Sequence, residues 1–416
     1  MLTATARKNS ANAAIDRAVR EALGTVEACH LRTRSAFERL LRHVRRSSLL
    51  HHATVGGRSG RKGCNAVVAG LLSLATYRKE WIRPIESWEP VGINPLPQFS
   101  SLAGHLLAAY PVPAFMTSVW LEGRTVEARR HQAWFNHIGA GRNLRTADLP
   151  LPYTKRMAHH FLLAPDHLTV EEALRWGQVR GLGGSKGLAL AVTSTGLGWS
   201  FESEDFWVTV VHFLVNHPDL DPAQIGPVVD YLHHQRFVPQ EGHIAEGALI
   251  DLGPPQPNLT MKGRTAKSLL RQVGDWQQRS TSPKIFVSLK WKTSGIGSYR
   301  HVGQDPPGGA RCWTIQELTS GQELQQEGMA MKHCVACYAG ACARRTTSIW
   351  SMRFENDERR FRVMTIEVDL STRTICQARR RYNVPPNEKA LGVLRRWAEQ
   401  EGLKLAFWSQ GILVRD

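Results

Sequence analysis

Ten consecutive residues of this chain gather an imidazole, three thiols and a phenol: His333-Cys334-Val335-Ala336-Cys337-Tyr338-Ala339-Gly340-Ala341-Cys342. An imidazole exchanges protons near neutral pH, an ionised thiol binds metal or attacks electrophiles, and a phenol gives a hydrogen bond. Two polar stretches follow, Thr365-Ile366-Glu367-Val368-Asp369 and Ile375-Cys376-Gln377-Ala378-Arg379. If Met329–Cys342 is a helix, Cys334, Tyr338 and Cys342 share one stripe at i, i+4 and i+8, with His333 and Cys337 on the neighbouring stripe. On strands the period is two. Thr365, Glu367 and Asp369 then share one face, Ile366 and Val368 the other, and Gln377 and Arg379 share a face of the next strand. Hairpin pairing sets Glu367 near Gln377, within reach of the helix.

Three kinds of chemistry compete for these residues. The first is zinc, held by His333, Cys334, Cys337 and Cys342. Four ligands on one helix point around it rather than at one point, whereas zinc knuckles hold a CxxC in a turn with a second pair at a distance. No metal ligands are therefore assigned. The second is plain core, since cysteine behaves as a small hydrophobe; Cys334 and Cys342 fit this best. The third is a polar pocket with His333, Tyr338, Glu367, Gln377 and Arg379 as candidate catalytic residues. His333 and Glu367 would exchange protons and Arg379 would hold an anion. A structural salt bridge from Glu367 to Arg379 or a nearby arginine competes with that pocket.

These side chains need a scaffold. Residues 1–50 read as two helices, with Phe37, Leu40, Leu41 and Val44 on one face of the second. Gly56–Gly63 reads as a basic loop; it lacks the GxxxxGK[ST] order of a phosphate loop. Residues 100–240 show repeated 3.6-residue periodicity between short Pro- and Gly-containing links, with no clean internal repeat. Gly253–Asn258 reads as a linker, and Arg264–Gln278 as a two-sided helix with Arg264, Lys267 and Arg271 opposite Leu269, Leu270, Val273 and Trp276. Lys284–Trp291 alternates as a strand, residues 294–310 read as a loop, and Ile315–Leu318 and Gly321–Ala343 read as helical. Ser348–Phe354, Arg359–Leu370 and Arg373–Ala378 read as strands, and a last helix runs from Pro386 to Glu401. The expected fold class is α+β: a mostly helical N-terminal and central region, then a small antiparallel sheet of three to four strands with flanking helices. The expected domains are a basic helical extension over 1–90, a helical domain over 91–250 and an α+β domain over 260–416.

The composition, 42% hydrophobic and 21% charged, is that of a globular protein rather than a disordered one. No apolar run approaches the roughly 18 residues of a membrane helix, and no secretory signal is recognised, so no membrane partner is expected. Seven cysteines, an odd number in a chain of 416 residues, suit a reducing cytoplasm. The formal charge is +17 and is unevenly placed. Residues 1–80 hold 15 Lys/Arg against 5 Asp/Glu, and residues 261–311 hold 10 against 2, leaving the remainder near neutral. Two basic blocks on a neutral body suit a polyanion.

The positions Trp313-Thr314-Ile315, Leu318, Glu327-Gly328, Met331-Lys332-His333-Cys334-Val335, Tyr338, Cys342, Ile349, Arg353, Thr365-Ile366-Glu367-Val368, Gln377-Ala378-Arg379, Asn383, Pro386 and Trp397 resemble the PcfJ-like family. Its pattern is an EG-x-x-M-x-HCV-x-x-Y helix, a T-x-E strand, then Q-x-R-x-x-x-N-x-x-P. Cys337 is not a position of that pattern, and the glycine that usually follows Q-x-R is Arg380 here. The words Leu151–His159 and Met261–Thr265 resemble longer members, so the likeness extends over about 100–410, while residues 1–90 resemble nothing recognised. The family is named from conjugative plasmid genes. The resemblance implies a role in DNA transfer or mobile-element biology and supplies no settled activity.

The leading expectation is a cytoplasmic, DNA- or RNA-associated accessory protein of a mobile element. Arg39, Arg42, Arg45, Arg46, Arg58, Arg61 and Lys62 would meet phosphates, along with Arg264, Lys267 and Arg271, and other mobile-element proteins are candidate partners. One alternative is an enzyme acting on nucleic acid or nucleotide through His333, Glu367 and Arg379, with a divalent metal as the one cofactor contemplated. The other is a protein-binding adaptor whose basic blocks meet an acidic partner. The adjacent pairs His51-His52, His159-His160 and His233-His234 diverge by about 100° on a helix and read as solvated or capping residues. Most of the 13 tryptophans, such as Trp134, Trp207 and Trp397, read as core.

Overall fold

A computed structural model describes residues 16–24 apart from 18 and 23, 31–50 apart from 49, 60–121, 126–239, 241–243, 249–280, 289–305, 309–331, 335, 338–356, 360–381 and 386–405. The chain divides after Gly181 into two units.

The first unit is helical: α1 (Leu31–Ser47), α2 (Gly60–Thr76), α3 (Pro95–Leu107), α4 (Val126–Gly139), α5 (Lys155–Leu162) and α6 (Val170–Gly181). In α1, Phe37, Leu40 and Val44 recur at helical spacing and are buried, so Arg39, Arg42, Arg45 and Arg46 fall on the exposed side. Burying each such apolar side chain contributes about 1.5–3 kcal/mol. The loop expected over Gly56–Gly63 is shorter than its glycines suggest. α2 already begins at Gly60, carried by a run in which Val67, Val68, Leu71, Leu72 and Leu74 are buried. The Leu151–His159 word builds a helix pair. The Thr154 hydroxyl accepts from the Met157 amide at 3.2 Å and caps α5, and the Tyr153 hydroxyl donates to the Leu174 carbonyl in α6.

The second unit opens with α7 (Lys186–Thr193), α8 (Glu204–Val215) and α9 (Pro222–Phe237), then an antiparallel strand pair β1 (Glu241–His243) and β2 (Leu249–Asp251), then α10 (Ala266–Ser280). α10 starts two residues later than expected, because the Thr265 hydroxyl accepts from the Ser268 amide at 3.2 Å and takes the cap. Leu269, Val273 and Trp276 are buried as the two-sided pattern requires.

A six-stranded sheet follows: β3 (Tyr299–Asp305), β4 (Gly309–Leu318), β5 (Thr347–Glu355), β6 (Arg360–Asp369), β7 (Thr374–Arg379) and β8 (Lys404–Leu405), in that spatial order. β3 to β7 form an antiparallel meander, and β8 pairs parallel to β7 after the crossover helix α13 (Glu388–Glu401). The expected three to four antiparallel strands are thus six in a mixed sheet. The expected loop over 294–310 is largely the β3–β4 hairpin. Ile315–Leu318 is strand rather than helix, because Trp313, Ile315 and Glu317 alternate with Thr314, Gln316 and Leu318. The expected helix over Gly321–Ala343 is two helices, α11 (Gly321–Met331) and α12 (Ala339–Ala343), with Val335 buried in non-helical backbone between them. Of the Lys284–Trp291 strand, residues 289–291 pair with 319–321, and the rest lies outside the described residues. Asn387 caps α13 by accepting from the Ala390 amide at 2.9 Å, so Pro386 stands before the helix rather than in its first turn.

Two layers cover the sheet. On one face Leu318 and Ile349 pack with Leu324 of α11, Val335, and Ala339 and Cys342 of α12. On the other Trp350 meets Trp397 of α13 at 4.7 Å between ring centroids. Among the described residues no helix is long and apolar enough to cross a membrane.

Candidate functional site

Cross-strand pairing on the α11 face fixes two polar rows. Ser351, Thr365 and Arg379 lie opposite one another, and the next row holds Ile349, Glu367 and Gln377. The register places Glu367 against Gln377, as the expected hairpin pairing sets it. Tyr338, at the entrance to α12, donates its hydroxyl to Glu367 Oε2 at 3.1 Å. Burial pushes the Glu367 carboxyl up to about 7, opposed by the Tyr338 hydrogen bond and aided by the charge of Asp369. Glu367, Tyr338 and Gln377 each keep part of their surface in solvent. A carboxyl that is part protonated at neutral pH, beside a fixed phenol, can take up or release a proton there.

Arg379 stands on the next row and is 8% exposed. Its guanidinium lies 4.8 Å over the Trp199 ring, and among the described residues no cation pairs with Glu367. Asp369 has a turn-building role: it accepts from Ser371 and Thr372, which holds its carboxyl below the usual range. The Cys376 thiol is half-buried and pushed up by burial and then by Glu367. Cys342 is core, as expected. His333, Cys334 and Cys337 lie outside the described residues. The single helix expected over Met329–Cys342 is interrupted at Val335, which is non-helical.

Sequence reasoning missed a second polar centre on the same face. Glu327 of α11 is fully buried, ion-paired with Arg362 at 2.7 Å, and accepts from Thr365 Oγ1 at 2.9 Å. Burial raises its carboxyl above the usual range despite these partners and Ser351. A β-bulge sets the geometry: Met352 pairs with Met364 but Arg353 with Arg362, so the extra residue Val363 turns Arg362 toward α11. The available signal was spacing. Leu324, Glu327 and Met331 share one buried helical stripe, and a carboxylate there needs a partner.

Residues 311–392 match the family model for PcfJ-like proteins. The PcfJ-like span contains Glu327, Tyr338, Glu367, Gln377 and Arg379, and it ends inside α13. No curated protein and no solved structure gives a match.

The basic residues are distributed as follows. Arg39 holds Glu86 through both carboxylate oxygens, at 2.8 and 2.9 Å, and Arg45 pairs with Asp16 at 2.6 Å. Both pairs are exposed, where an ion pair contributes about 0–1 kcal/mol. Arg42 and Arg46 are exposed and have no acidic partner among the described residues. Arg58 lies outside the described residues, and the backbone of Arg61 and Lys62 belongs to α2. Lys267 and Arg271 are exposed on α10, whereas Arg264 folds back to the Thr260 carbonyl at 2.8 Å and the Gln272 amide oxygen. Arg264 also lines an open cavity of about 540 Å³ with Lys262, Asn258 and Gln272. Among the described residues no group of three His, Cys, Asp or Glu side chains is placed to hold a metal ion. His160, His233 and His234 are all lowered by burial, and the last two lie against Phe237 and Trp276.

Proposed function

We propose that this chain is a nucleic-acid-associated accessory protein of a mobile genetic element that grips the phosphate backbone through two basic blocks. One observation carries the reading. Arg42 and Arg46 on α1, and Lys267 and Arg271 on α10, are exposed cations without acidic partners among the described residues, in a chain of charge +17. Such cations displace condensed counterions and bind with little sequence selectivity, since phosphate contacts position but do not specify. The mobile-element part rests on the PcfJ-like resemblance. The test is fluorescence anisotropy with labelled duplex and single-stranded probes. Arg42→Glu/Arg46→Glu and Lys267→Glu/Arg271→Glu should each weaken binding uniformly across sequences. Unchanged affinity in both double variants overturns the reading.

The second reading is an enzyme acting on nucleic acid or nucleotide. It is favoured by the Tyr338–Glu367 pair, whose carboxyl titrates near neutral pH. In it Glu367 and His333 exchange protons and Arg379 holds an anion.

A further inference from the structure

The meander sets a row of rings side by side. Trp313 of β4, Phe354 of β5 and Phe361 of β6 are direct cross-strand partners, and His301 of β3 extends the row. Ring centroids lie 4.8 Å apart for Trp313 and Phe354, and 5.3 Å for Phe354 and Phe361. The row is on the α13 face, one step along the strands from Ile315, Met352 and Met364. Those three are fully buried, whereas Trp313 and Phe354 are only half-buried and Phe361 is 49% exposed. A core needs no such row at its open end, and contiguous exposed rings mark contact surfaces.

One cation borders the rings. Arg311 is exposed, two residues before Trp313 on the same face, and lies opposite Gly303, which brings no side chain. Arg300 and Arg360 stand on the two rows either side of the rings and so point to the opposite face of the sheet, the latter 3.8 Å from Glu355. Rings alone would suit an apolar protein partner; rings with an arginine beside them on the same face suit a polyanion that also offers planar faces.

We propose that the His301–Trp313–Phe354–Phe361 row stacks the unpaired bases of a single-stranded nucleic acid, with Arg311 beside it meeting phosphates. This rests on the nucleic-acid reading and narrows it to a class of strand. Every base has a π-face, so such a platform tolerates any sequence, and each stacked base contributes about 1–3 kcal/mol. Exposed aromatic side chains on a sheet are a known solution for holding splayed bases.

The test compares the full chain on a fluorescent oligothymidylate and on an abasic strand of the same length and charge. The wild-type chain should prefer the thymidylate. Phe361→Ser should weaken it roughly 5- to 150-fold, the range of one lost stack, leave abasic binding unchanged, and be rescued by Phe361→Tyr. Thermal unfolding matched to wild type shows that the serine variant is folded; if it is not, wild-type preference for bases over the abasic strand still decides. Equal affinity for both strands overturns the platform while leaving phosphate binding standing. Binding to neither overturns both and leaves the row as a protein contact.

Discussion

Among the described carboxylates, Glu367 is the one whose proton affinity burial raises most. Its folded pKa of about 7 lies above the ordinary value of 4.5, so the folded state holds the proton more tightly than the unfolded chain does. Stability contributed by that proton is fully present below 4.5 and is lost as pH rises toward 7. Glu367→Gln imitates the protonated group. It should match the wild type at low pH and exceed it by about 1–3 kcal/mol at pH 8, read from thermal unfolding across the pH range. If the enzyme reading holds, the same substitution removes a turnover that tracks this titration. Glu327 is raised in the same direction but differs in holding an ion-pair partner. Glu327→Ala leaves Arg362 facing a vacated buried site and should cost about 3 kcal/mol, the low end for a broken buried pair, because Arg362 is 30% exposed and can turn to water. Denaturant unfolding measures it, and a loss below about 1 kcal/mol would show that the pair merely balances its desolvation.

Among the helices, the α5–α6 pair is set by a close backbone approach. A Cβ at Gly177 would lie 2.6 Å from the Tyr153 hydroxyl and 2.9 Å from the Met157 carbonyl oxygen. Backbone cannot rotate out of the way, so Gly177→Ala should destabilise the first unit by about 1–3 kcal/mol. Gly104→Ala in α3, where an added methyl meets nothing within 4 Å, should instead gain about 0.5–1 kcal/mol. Scanning calorimetry of the two variants separates the cases. The element scale also shows what the sequence made legible. β5, β6 and β7 were readable because runs rich in β-branched and aromatic residues are bounded by turn residues, and hairpin pairing across Ser371-Thr372 placed Glu367 near Gln377. β3 and β4 were hidden by Asp305-Pro306-Pro307-Gly308-Gly309, a hairpin signal that also reads as loop. Glu327 was hidden because a carboxylate on a helix is usually solvated. The Trp199 partner of Arg379 lies too far along the chain for any local pattern to reveal.

For the whole molecule, charge is the quantity that predicts behaviour. If the exposed cations of α1 and α10 meet phosphates, log affinity should fall linearly with log salt, by about 0.9 per duplex phosphate contact. Titrations between about 50 and 200 mM salt give that slope, and each double charge reversal should reduce it by about two. A flat salt response would leave the charge serving solubility alone.

The way β8 joins the sheet has a consequence for how the second unit assembles. β3 to β7 are neighbours in sequence as well as in space, so the meander can zip up from local contacts. β8 is different: its register with β7 exists only once α13 has crossed over and docked. Until then β7 presents an unpaired rim able to recruit strands from other nascent chains. Refolding at rising protein concentration should therefore lose yield to self-association at this late closure step, and the polypeptide emerging from a ribosome meets the same hazard.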